Sequence, residues 1–141
     1  MAAFNKFNSF VEHLAEKVHN LGSDTLKVML TNAAPSASNT VKADLTDIGA
    51  GNGYTAGGTA VTVTSSAQSG GTYKLVGNDI VFTAAGGSIG PFRYAVLYND
   101  TPTSPADPLI GFWDYGSNVT LADTESLTVD FNGTDGILQL A

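Results

Sequence analysis

The feature that most constrains this chain is a change in hydrophobic period at Gly22. Before it, Phe4, Phe7, Val11, Leu14, Val18 and Leu21 recur at helical spacing. After it the period falls to two. Leu26, Val28 and Leu30 alternate with Lys27 and Met29, which marks a strand. A chain built this way carries one short amphipathic helix in front of a β domain. The spacing predicts a helix over residues 4–21, with Ser9 and Glu12 as a capping box that starts its main part near residue 10 and Gly22 placed to end it.

Downstream of residue 60, short apolar runs alternate with turn residues. Val61 and Val63 share a face. Tyr73 and Leu75 lead into Gly77-Asn78, and Ile80, Phe82 and Ala84 lead out, which predicts a hairpin with a Gly-first turn. FRYAVLY at 92–98 is apolar on nearly both faces and reads as a central, buried strand. LIGFWDY at 109–115, the alternating Leu127, Val129 and Phe131, and ILQL at 137–140 complete the pattern. About eight short strands at this spacing suggest a mainly β fold, a β-sandwich or jelly-roll-like domain spanning 1–141 with its β part over 25–141. The stretch 32–60 contains NAAPSASNT and GAGNGYTAGG, and so little apolar material predicts a flexible Gly/Ser/Ala-rich loop or arm.

Size is sufficient for a core. A chain of 14.5 kDa exposes roughly 7,000 Å² folded against roughly 21,000 Å² unfolded, so about two-thirds of its surface can be buried. There is no Cys, which removes disulfides and thiolate metal sites. Only 13% of residues are charged, the net charge is −7, and the six Lys and Arg are dispersed. Without a basic cluster, neither DNA nor RNA is an expected partner. MAAFNKFNSFVEHLAEKV is interrupted by charges and lacks a signal-peptide core, and no run approaches membrane-spanning length. The expectation is a protein made in a cytoplasm, not bound to a membrane, and kept there until assembly.

Chemical motifs are not evident. His13 and His19 lie six positions apart, which on one helix would turn them about 120° from each other. Glu12 and Glu16 share a helix face but read as a solvated one. GAGNGYTAGG lacks the Gly-Lys-Ser/Thr of a phosphate loop. The scattered acids match no calcium loop, and no G-x-S-x-G accompanies the histidines. No catalytic residue, cofactor or metal is therefore expected, and the chain does not read as an enzyme. Asn99, Asn118 and Asn132 begin Asn-x-Thr triplets, which without a secretory signal are chance matches.

Three segments carry a resemblance: LKVMLTNAAPSASNTVKADLTDIGAGNGYTAGG at 26–58, PFRYAVLYND at 91–100 and PLIGFWDYGS at 108–117. Together they resemble small β-rich virion proteins of tailed bacteriophages. The resemblance implies a capsid decoration, or cement, protein on the capsid exterior, with the major capsid protein as partner and a homo-oligomeric form, dimer or trimer. Candidate interface residues are Phe4, Phe7, Val11, Tyr54, Trp113 and Tyr115. A competing expectation is a tail-associated module that binds a receptor glycan through Trp113, Tyr115 or Tyr54.

Overall fold

The computed structural model describes residues 2–141. Ten strands and one α-helix follow in the order β1 (Asn5–Lys6), α1 (Ser9–Ala15), β2 (Leu26–Thr31), β3 (Thr59–Ala60), β4 (Val63–Ser69), β5 (Thr72–Gly77), β6 (Ile80–Thr83), β7 (Ile89–Asn99), β8 (Leu109–Leu121), β9 (Ser126–Val129) and β10 (Leu138–Leu140). A five-stranded antiparallel sheet has the order β1-β8-β7-β2-β3. Facing it are a three-stranded sheet, β10-β5-β4, and a two-stranded one, β6-β9. The domain is mainly β and sandwich-like, as the alternation predicts. Its accessible surface is 6874 Å², in line with the mass scaling.

Both faces of the large sheet are covered, which explains the doubly apolar β7. Ala95 and Leu97 face the main core with Val28, Leu30, Ile110, Leu75 and Phe82. Val96 and Tyr98 face a second, smaller core with Phe7, Met29, Leu45 and Leu109. Phe92 joins the main core although it lies an odd number of residues from Leu97; the alternation breaks in the stretch where the β7–β8 register shifts between Phe92 and Tyr94, two steps of β7 standing against five of β8.

Three expectations are corrected. The helix is seven residues long, not 4–21. It stops because Lys17 adopts a left-handed φ of 68°, and the N–H groups of Lys17 and Val18 donate to the carbonyls of Leu14 and His13. That is a Schellman cap, formed without glycine and well before Gly22. The expected capping box is not formed: Asn8 is the N-cap, and no side chain caps the helix. Second, β5 and β6 are not a hairpin. β5 pairs with β4 across Gly70-Gly71, both at positive φ (59° and 87°), as a type I′ turn demands. β6 pairs instead with β9.

Third, the stretch 32–60 is irregular but not a free arm. Leu45 and Tyr54 are buried, and the stretch covers the margin of β2 beyond β3. The Ile48 N–H donates to the Leu30 carbonyl, and the Leu30 N–H donates to the Tyr54 hydroxyl at 3.0 Å. The Tyr54 hydroxyl in turn donates to Asp47, whose other oxygen accepts the Gly57 N–H. From the other face of the large sheet, the Tyr98 hydroxyl donates to the Gly57 carbonyl at 2.6 Å. One tyrosine and one aspartate thus do the work of a missing strand.

Candidate functional site

A concave site among the described residues is a cleft between the large sheet and β9. Phe92, Arg93, Tyr94 and Ala95 of β7 form one side, with Trp113 and Tyr115 of β8. Leu127, Thr128, Val129 and Asp130 form the other, and Leu30 and Ala2 complete the lining. The cleft exists because β9 pairs only with β6, while β8 bulges away from β7 here. Tyr94 faces Asp114 but Phe92 faces Val119, so an excursion around Gly116 (φ 100°) separates the strands.

The cleft holds about 250 Å³, below the roughly 300–1,000 Å³ typical of small-molecule sites. It suits one apolar side chain or one sugar ring better than a cofactor. Its floor is fixed by packing. Trp113 is wedged between Phe4 and Phe131, with ring centroids 5.4 and 5.7 Å away. At the edge stands an ion pair in fork geometry. Arg93 Nε and Nη2 donate to the two Asp114 oxygens at 2.8 and 3.0 Å, and the Arg93 guanidinium lies 5.5 Å from the centroid of the Tyr94 ring. Asp114 also accepts the Gly116 N–H, so the Arg93 contact and then this one hold its carboxyl below the usual carboxylate range. The planar pair presents polar edges beside an apolar recess.

The structure divides the six sequence-derived candidates. Phe7, Tyr54 and Trp113 are buried and are spent on the chain's own core. Phe4 is half-buried against Trp113. Val11 and Tyr115 are exposed, at 48% and 60%. Only Trp113 and Tyr115 meet in the cleft, Trp113 as floor and Tyr115 as free ring. Sequence alone expects Tyr94 to pack in the core, leaves Asp130 among scattered acids and says nothing of Arg93; a bulge and a strand gap bring all three to the cleft, and neither has a local signature.

The two histidines also meet, contrary to the helical-wheel expectation. Because the helix ends at Ala15, the chain folds back and the rings of His13 and His19 come within 6.0 Å, edge to face. His19 is buried. Asn99 donates one amide hydrogen to His19 Nδ1 at 3.1 Å and the other to Asp24 at 2.7 Å. That arrangement makes Nδ1 the acceptor and puts the ring proton on Nε2. Burial, then repulsion by His13, pushes the His19 pKa down to about 4, against the opposing pull of Asp24. Among the described residues no group of three or more His, Asp or Glu side chains converges as a metal site. No helix among them is long and apolar enough to cross a membrane. Comparisons of the chain with protein-family models, with curated proteins and with solved structures find no match.

Proposed function

We propose that this chain is a structural virion protein of a tailed bacteriophage, a capsid decoration protein that bridges major capsid protein subunits on the outside of the head. The observation that carries the reading is the cleft: an apolar recess of single-side-chain size, with an exposed Tyr115 at its rim and a fixed Arg93–Asp114 pair beside it. Aromatic anchors beside small apolar pockets are what protein interfaces concentrate their affinity in. The sparse charge of the chain and the resemblance of its three segments support the same reading. An apolar side chain of a capsid subunit fills the recess, Tyr115 closes over it, and the ion pair orients the backbone around it. Many symmetric copies then turn a modest single-site affinity into a firm seam.

A second reading, a tail-associated glycan-binding module, is favoured by the same ring and fork, because sugars take an aromatic platform flanked by charged hydrogen-bonding groups. Tyr115→Ala separates the two. The ring is exposed, so the variant keeps the fold. Attachment to heads lacking the protein is expected to weaken at least ten-fold, with loss of head stability. Normal head attachment with lost sugar binding would instead establish the glycan module. Failure of the protein to be found in particles would remove both.

A further inference from the structure

We propose that two copies of this chain join edge to edge through β4, antiparallel and two-fold symmetric, so that their three-stranded sheets become one six-stranded sheet. The inference rests on how the sheet margins are treated and goes beyond the cleft reading.

An unpaired strand edge is a template for another strand, and proteins blunt the edges they do not use. Here nearly every margin is blunted. The large sheet ends in β1 and β3, two residues each, and the rest of the β2 margin is taken by Ile48 and Tyr54. The distal half of β8 is broken by its bulge. β6 and β9 are four residues each, and acids sit at their ends in Asp79, Glu125 and Asp130. β10 has three residues.

β4 is the exception. It runs from Val63 to Ser69 at the margin of its sheet, regular over 65–69 beyond a register shift between Val63 and Ser65, with its side chains largely exposed. Among the described residues, no backbone hydrogen bond links 64–69 to any segment except β5. No charged residue and no proline occurs between Asp47 and Lys74. On a chain of net charge −7, that neutrality matters, because two copies can approach here without opposing charges at the seam.

The sequence of β4 also suits pairing with itself. A two-fold axis through Ser66 sets Ser66 against Ser66, Ser65 against Ala67, and Gln68 against Thr64 at the bulge, so hydroxyl and amide groups meet along a seam whose regular part is Ser65–Ser69. The phase of the backbone agrees. Ser69 and Thr72 flank a two-residue turn and are a hydrogen-bonded pair, so Ala67 points its N–H at β5 while Ser66 and Gln68 point theirs outward. Ser66 is then a hydrogen-bonded pair with its symmetry mate, and the isologous contact closes after two subunits.

Sedimentation velocity over a concentration series tests this, with Gln68→Pro as the variant. Proline at 68 removes an outward N–H and leaves the β5 ladder intact. It also removes the side-chain oxygen that accepts the Gly71 N–H, so Gln68→Ala, which loses that contact but keeps the backbone N–H, is the control. The wild type and Gln68→Ala are expected to dimerise reversibly, and Gln68→Pro to raise the dissociation constant at least ten-fold over Gln68→Ala with the same melting curve. Hydrogen exchange needs no variant: the Ser66 and Gln68 amides should be protected in concentrated solution and exchange fast on dilution, while Ala67 stays protected in both. A monomer at all concentrations would overturn the proposal. So would a dimer indifferent to Gln68→Pro, open-ended polymers, or protection of these amides only when a strand of another protein is added.

Discussion

Replacing Tyr54 by Phe removes one oxygen atom from the centre of the stretch that covers β2. The ring itself stays, so packing against Phe82 is kept. What is lost is a hydroxyl that accepts the buried Leu30 N–H at 3.0 Å and donates to Asp47. An amide N–H left buried without a partner costs about 1–3 kcal/mol. Asp47 keeps the Gly57 N–H and is half-buried, so loss of its second donor adds about 1 kcal/mol. The sum is about 2–4 kcal/mol, which for a domain of this size lowers the melting temperature by about 10 °C. Urea unfolding should show the loss in the midpoint with an unchanged slope. Tyr115→Phe is the control, since that ring is exposed and the change should stay within about 0.5 kcal/mol. A Tyr54→Phe effect below about 0.5 kcal/mol would mean that Leu30 and Asp47 are hydrated. The account of 32–60 as a pinned edge cover would then be refuted.

The buried His19 makes the domain acid-sensitive. Its folded pKa of about 4 lies below the ordinary 6.5, so the unfolded chain takes up the proton first. Stability is full above about pH 6.5, falls as pH drops toward 4 and levels off below. The full shift corresponds to roughly 3 kcal/mol, and solvent screening at the rim reduces the expected loss to about 1–2 kcal/mol. His19→Asn should flatten that window in pH-dependent unfolding, and an unflattened profile would assign the sensitivity elsewhere. Phe92→Ala, at 1% exposure in the main core, should cost about 3–5 kcal/mol by chemical denaturation, whereas Val81→Ala, at 55% exposure, should be near neutral. Similar values for the two would displace β7 from the centre of the fold.

The alternation of Leu26, Val28 and Leu30 and the doubly apolar run at 92–98 made the β class and its central strand legible, because burying one or both faces of a strand imposes a period that is local. The size of the core followed from mass alone. Partner choice was not legible. The Gly77-Asn78 turn looked like a hairpin signal, yet Gly70-Gly71 closes the actual hairpin, and β6 crosses to β9 more than forty residues away. Which strand lies beside which is decided by the summed burial of the whole core, and no window of sequence contains that sum.

The same reason separates the candidate side chains. Tyr54, Trp113 and Tyr115 are equivalent as letters. The tertiary structure buries Tyr54 to satisfy an open β2 margin, sets Trp113 between Phe4 and Phe131, and leaves Tyr115 exposed beyond a register shift. His13 and His19, opposed on an ideal helix, meet because Lys17 takes a left-handed conformation and turns the chain back. Sequence by itself determined the class, the amount of core and the shortage of charge, since these follow from periodicity and composition. The tertiary structure decided the cleft, the open β4 edge and the fate of each aromatic, since these depend on backbone irregularities and on contacts between residues far apart along the chain.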